Sequence, residues 1–156
     1  MLIRVIAVGT RMPGWVSEAV AEYSRRMPAE MRLEWREVRA EPRSANGNPQ
    51  RWMERECERI RAALPANASV VALDERGADL DTRALAQRLR HWQREARPVA
   101  ILIGGPDGLD ASLKSQASES IRLSSLTLAH PLVRVVLAEQ LYRAWSLLAN
   151  HPYHRE

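Results

Sequence analysis

His151, Tyr153, His154 and Arg155 crowd into the last stretch of the chain, Asn150-His151-Pro152-Tyr153-His154-Arg155-Glu156. Chain ends are usually polar and dispensable, whereas this one concentrates proton-transfer groups, a hydrogen-bonding ring and a guanidinium. Such residues suit proton transfer to or from a bound base and stacking against it. Two histidines three apart also have a metal-ligand spacing, but no third ligand lies near them, and the reading is no metal. Arg134, Glu139, Tyr142 and Arg143 precede the tail on one continuous helical pattern and extend the polar set.

Three further segments lie where a small molecule could bind. Ile103-Gly104-Gly105-Pro106-Asp107-Gly108 follows a fully apolar run. In parallel α/β sheets ligands sit beyond the carboxyl ends of strands, and glycine there lets a ligand approach the backbone. The same residues also make an ordinary tight turn. Neither a dinucleotide fingerprint nor a phosphate-binding loop is present, which argues against NAD and ATP. Leu73-Asp74 ends a second apolar run and by itself reads as a strand exit. Leu123-Ser124-Ser125-Leu126-Thr127-Leu128-Ala129-His130-Pro131 interleaves hydroxyls with leucines, offering polar groups inside an apolar lining. It equally reads as a buried connector whose serines cap the backbone, with His130 as a helix cap.

The elements that must position these segments alternate. Leu2 to Val8 reads as a strand, and after Pro13 the residues Trp15, Val16, Ala19, Val20 and Tyr23 recur at helical spacing. Leu33 and Trp35 alternate with charged residues as in a strand, and the polar loop from Glu41 to Pro49 is a candidate for mobility. Gln50 to Leu64 is helical, with Trp52, Met53, Cys57, Ile60 and Leu64 as its apolar stripe. Ser69 to Leu73 is a buried strand, and Asp81 or Thr82 caps a helix carrying Leu85, Ala86, Leu89 and Trp92. Val99 to Ile103 is a strand, Asp110 to Ser118 a weaker helix, and Ile121 to Leu123 a short strand. Pro131 stands at the first position of the last helix. This alternation predicts an α/β fold, a mainly parallel sheet flanked by helices.

With 156 residues, 46% hydrophobic and 27% charged, one domain spanning 1–156 is the default. No signal-peptide pattern is visible, and Arg134, Glu139, Gln140 and Arg143 interrupt the longest apolar stretch, which excludes a membrane helix. Cys57 is the single cysteine and fits a reducing, cytoplasmic compartment. The net charge of +4 rests on arginine, with Lys114 the only lysine. Genome base composition accounts for part of that bias, and the positive balance favours a polyanionic partner such as RNA.

Taken in order, Leu-Ile-Gly-Gly-Pro-Asp-Gly at 102–108, Leu-Ser-Ser-Leu-Thr-Leu-Ala-His-Pro-Leu-Val-Arg at 123–134, Glu-Gln-Leu-Tyr-Arg-Ala-Trp at 139–145 and the 150–156 tail closely resemble the RlmH family. These are small bacterial ribosomal RNA large-subunit methyltransferases of the SPOUT superfamily. The likeness extends to the opening Val-Ile-Ala-Val-Gly-Thr with Met12-Pro13 and Trp15. It implies a C-terminal trefoil knot, an exception to the usual connection rules that no pattern argument reaches. It also implies an S-adenosylmethionine pocket from Leu73, Gly104 and the run Leu123, Ser124, Ser125, Leu126, Thr127 and Leu128. A homodimer is implied, with each site shared between the knot of one subunit and the tail of the other. The implied reaction is methylation of N3 of a pseudouridine in the 23S rRNA hairpin of an intersubunit bridge, on assembled ribosomes.

That reaction asks the enzyme to align the base and remove a weakly acidic imide proton. His154, or a water it holds, is the expected proton acceptor, with Tyr153 stacking on or hydrogen-bonding the base. Arg143 and Arg155 are expected to hold phosphate or the developing oxyanion, and Glu139 to orient an arginine. Arg25-Arg26 and Arg88-Arg90 are candidate phosphate contacts, each also readable as a solvated helix face. Two other functions fit the same residues: a non-catalytic ribosome-binding factor, and a SPOUT methyltransferase acting on transfer RNA.

Overall fold

The computed structural model describes residues 1–155; Glu156, the final residue of the tail, lies outside the described residues. Five strands alternate with helices: β1 (Leu2–Val8), α1 (Gly14–Arg26), β2 (Arg32–Val38), α2 (Pro49–Ala63), β3 (Ser69–Asp79), α3 (Thr82–Glu95), β4 (Val99–Ile103), α4 (Ala111–Gln116), β5 (Glu119–Arg122) and α5 (His130–Leu148). The strands form one sheet in the order β2-β1-β4-β3-β5, and each neighbouring pair is parallel. The expected parallel α/β architecture is present.

Side-chain alternation builds the two faces. Ile3, Val5 and Ala7 of β1 point into a cluster with Leu89 and Trp92 of α3 and Leu137, Leu141 and Ala144 of α5. Ile6 and Val8 point the other way, toward Cys57 and Ile60 of α2 and Leu113 of α4. Central β4 is buried along its whole length, because both faces are covered.

Trp92 is fully buried, and its indole N–H donates to the Glu119 carboxylate on edge strand β5 at 2.5 Å. Trp92→Ala both opens a cavity and deprives Glu119 of one donor. The expected loss is about 3–5 kcal/mol, read as a lower urea midpoint at unchanged slope.

Several boundaries differ from the sequence reading for visible reasons. Strand β3 continues past Leu73, because the chain leaves the ladder and rejoins it at Ala78; Ile121 of β5 lies opposite both residues. Gly77 permits this, since a Cβ there would sit 2.5 Å from the Ile121 backbone. The last helix starts one residue before Pro131, so His130 is its first residue and Ala129 occupies the cap position without a side-chain bond. Asp81 does cap α3, accepting from the Ala84 N–H at 2.8 Å.

Trp15 is 52% exposed, and Val16 alone on α1 is buried. In the 41–49 loop Arg43 pairs with buried Glu56 and with Asp107, while Glu41 pairs with Arg55 and Arg59. Glu56 was hidden in a charged helical pattern, where nothing distinguishes a buried carboxylate from a solvated one. Among the described residues, no helix is long and apolar enough to cross a membrane.

Candidate functional site

The carboxyl ends of β1, β3 and β4 open onto one cleft of ≈ 1010 Å³. Its walls come from the strand exits: Gly9 and Met12 after β1, Leu73 to Arg76 at the break in β3, and Ile103 to Leu109 after β4. The fourth wall is the connection from β5 to α5. Strand β5 lies at the sheet edge beside β3, whereas α5 starts beside the exit of β1, where its Arg134 bonds the Gly9 carbonyl. The connection therefore crosses the ends of β3 and β4, and Leu123 through Leu128 all face the cleft. Leu73 and Gly104 line it as well, so the structure gathers the whole cofactor set named from sequence.

Gly104 shows why this loop needs glycine. A Cβ there would lie 2.6 Å from the carbonyl carbon of Gly108 and 2.8 Å from its oxygen. The loop folds tightly on itself, with Gly108 donating to the Gly105 carbonyl at 2.9 Å. The segment is a tight turn, and that turn forms a wall of the cleft. Leu126 is 75% exposed at the rim, while the Leu126 N–H is taken by the Ser124 hydroxyl at 2.9 Å.

Buried Arg134 anchors the far side. It donates to the Gly9 carbonyl at 2.8 Å, to Glu37 of β2, and through Nε to His130 Nε2 at 3.0 Å. A guanidinium cannot accept, so His130 Nε2 must be unprotonated and the ring neutral. Burial, then the Arg134 charge, holds His130 below the ordinary imidazole value near 6.5, against the opposing effects of the Gly104 backbone and Glu37.

A group with a lowered folded value takes up protons first in the unfolded chain. His130 therefore costs no stability well above pH 6.5, and its penalty grows as pH falls from there toward the lowered value. The stability gap between wild type and His130→Asn should shift in favour of the variant on acidification, as followed by urea denaturation across that range.

Of the five residues named from sequence as catalytic, Glu139, Arg143 and Tyr153 form a second cluster, and none of the five lines the cleft. Glu139 accepts from Arg143 Nε at 2.9 Å and from the Tyr153 hydroxyl at 3.0 Å. The Arg143 guanidinium lies over the Tyr153 ring at 4.9 Å, and Tyr153 packs against Tyr142 with ring centroids 4.5 Å apart. Burial, then hydrogen bonds with Tyr23 and Glu139, raises the Tyr153 phenol well above its ordinary value. It is thus a neutral donor and not a phenolate base. Glu139 holds Arg143 fully charged. His154 Nδ1 is buried and has no hydrogen-bond partner among the described residues, and Arg155 is exposed.

Sequence reasoning missed Tyr23 and Glu37, which meet the site residues only through long-range folding. Arg134 carried a faint signal, a cation among apolar neighbours near a helix start, where the helix dipole disfavours it. Among the described residues, no three His, Cys, Asp or Glu side chains gather where they could hold a metal ion.

A family model described as "Predicted SPOUT methyltransferase" matches residues 1–154. The ribosomal RNA large subunit methyltransferase H of Bordetella avium is 58% identical over 155 residues, covering 99% of each chain. That of Burkholderia thailandensis is 57% identical over the same span. Among solved structures, a probable methyltransferase from Bordetella pertussis Tohama I superposes with a TM-score of 0.54 at 20% identity, covering 91% of this chain and 95% of that one. A probable methylase family protein from Haemophilus influenzae superposes at 0.55 with 13% identity, over 99% of this chain and 70% of the other. These two share the fold. With a family model spanning nearly every residue and more than half the sequence identical end to end, the chain belongs to the SPOUT methyltransferase family, beside the ribosomal RNA large subunit methyltransferase H proteins of these bacteria.

Proposed function

We propose that this chain, as a single SPOUT domain over residues 1–156, transfers a methyl group from S-adenosylmethionine to N3 of a pseudouridine in 23S rRNA. Its substrate in this reading is the intersubunit-bridge hairpin on assembled ribosomes, in the cytoplasm. The observation that carries the proposal is the full-length identity to proteins named ribosomal RNA large subunit methyltransferase H. The cleft supports the cofactor assignment. It is open beyond the strand ends, has Gly104, Gly105 and Gly108 along one wall, and offers serine and threonine hydroxyls among leucines. Leu73, Gly104 and residues 123–128 would hold the cofactor, which supplies an electrophilic methyl group when bound. The implied C-terminal knot is part of the same proposal, supported by the way 123–129 crosses the strand ends before α5.

The chain's own residues do the remaining work. Glu139 fixes the Arg143 fork, which offers its charge to a phosphate or to the oxygen that gains negative character as the imide proton leaves. Tyr153, kept as a neutral hydroxyl, donates a hydrogen bond or packs on the base. His154, whose Nδ1 has no hydrogen-bond partner among the described residues, accepts the proton, directly or through a water. Arg155 stands exposed for phosphate.

Because the tail cluster lies outside the cleft of its own chain, a homodimer that apposes the tail of one subunit to the cleft of the other completes the site. The methyl acceptor is tested by offering free transfer RNA, free 23S rRNA and whole ribosomes to the enzyme with labelled S-adenosylmethionine. Labelling of ribosomes alone is expected. Preferred labelling of transfer RNA would move the protein to the other SPOUT substrate class. No labelling despite cofactor binding would make it a non-catalytic ribosome-binding factor.

A further inference from the structure

Arg43 bridges two carboxylates that belong to different parts of the molecule. Its Nε and Nη2 donate to Asp107 Oδ2 at 3.2 and 3.0 Å. Its Nη2 also reaches Glu56 Oε1 at 3.3 Å, while Nη1 bonds Glu56 Oε2 and donates to the Glu41 carbonyl at 2.7 Å. The guanidinium stands 5.3 Å from the centre of the Trp52 ring. A planar fork serves several oxygens at once in this way, which a point-charge ammonium does not.

Glu56 of α2 is the anchored end of this bridge, only 2% exposed. A carboxylate at that depth is costly unless paired and hydrogen-bonded, and it takes both Arg43 and the Glu41 N–H, the latter at 2.9 Å. The same carboxylate lies against the cleft loop, since a Cβ on Gly105 would stand 3.2 and 3.4 Å from its two oxygens. Asp107 is the other end of the bridge and lines the cleft. A second tie follows three residues on, where Gln50 Nε2 donates to buried Asp110 at 3.1 Å. No residue from 41 to 50 lines the cleft, yet this segment is fastened at two points to the 104–110 stretch that does.

We infer that Arg43 is a positioning residue for the cofactor: anchored on buried Glu56, its guanidinium fixes Asp107 and with it the 104–108 wall of the cleft. This rests on the cofactor reading of the cleft. Arg43 and Glu56 stand outside the cleft and act on the cofactor only through the wall that they brace. The role also accounts for a charged carboxylate buried under a glycine loop, where an apolar side chain would pack without needing a partner.

The test compares Arg43→Met, Asp107→Ala and the double variant. Binding of S-adenosylhomocysteine is measured by calorimetry, and methyl transfer to ribosomes at varied S-adenosylmethionine, with urea denaturation as a control. For Arg43→Met the expected result is a Kd and cofactor KM raised roughly tenfold, with kcat at saturating cofactor within about twofold of wild type. Because Arg43 acts through Asp107, the double variant should bind no more weakly than the weaker of the two single ones. Arg43→Met combined with Glu56→Gln leaves no buried carboxylate unpaired, so it replaces Arg43→Met if that variant folds poorly, and the same roughly tenfold loss is expected. Arg55→Met removes an ion pair with Glu41 in the same loop but no link to Asp107, and should bind within about twofold of wild type. Wild-type affinity in the Arg43 variants, additive losses in the double variant, or an equal loss in Arg55→Met would overturn the inference. If wild type itself binds no cofactor, the reading of the cleft fails, a distinguishable result.

Discussion

Removing residues 150–156 should abolish methyl transfer while leaving S-adenosylhomocysteine affinity within about threefold of the full chain. The reason is spatial. Every residue assigned to the cofactor lines the cleft, and Glu139, Arg143, Tyr153, His154 and Arg155 all lie off it. Tyr153 also packs against the core around Tyr142, so the deletion costs some stability. Tyr153→Phe keeps the ring and removes only the hydroxyl that Glu139 accepts at 3.0 Å. It should lower kcat by roughly 10-fold with little change in cofactor KM.

If tail and cleft come from different subunits, mixing the tail-deleted chain with a cleft-disabled chain restores activity. Each mixed dimer then holds one site with both parts intact. Mixtures as inactive as their components would place tail and cleft in the same subunit.

Gly104→Ala is the second large effect. The added methyl would meet the Gly108 carbonyl group at 2.6–2.8 Å, which is backbone and cannot rotate away. Relief requires the 104–108 loop to shift, and that loop forms one wall of the cleft while Arg43 ties its Asp107 to Glu56. Overpacking of this kind costs about 1–3 kcal/mol, so S-adenosylhomocysteine should bind roughly 10- to 100-fold more weakly by calorimetry. Gly108→Ala provides the contrast: nothing lies within 4 Å of its Cβ, and its φ of +82 alone strains the substitution. Its expected effect is smaller, about 1 kcal/mol.

The sequence was most readable where local chemistry decides the structure. The apolar runs at Leu2–Val8, Ser69–Leu73 and Val99–Ile103 are strands because both faces of a parallel sheet are covered, and Asp81 caps α3 because its carboxylate reaches a free N–H. The residues expected to hold the cofactor were named through motif resemblance, and all of them line one cleft. Folding across the chain decided the rest. Nothing local indicates that Glu56 is buried, since its partner Arg43 and the Glu41 N–H come from another element. The break in β3 depends on Gly77 meeting Ile121, more than 40 residues on. His130 reads as a cap until Arg134 is placed beside it. Trp15 falls in the helical pattern of α1, yet it is 52% exposed in the single chain.

The central claim is the reaction itself, and mapping the modified base tests it most directly. Ribosomes lacking the modification are incubated with the protein and labelled S-adenosylmethionine, and the 23S rRNA is digested and analysed by mass spectrometry. One added methyl is expected on N3 of a pseudouridine in the intersubunit-bridge hairpin, and none with the tail-deleted chain. A methyl on another base, or none at all from an enzyme that binds the cofactor, would contradict it.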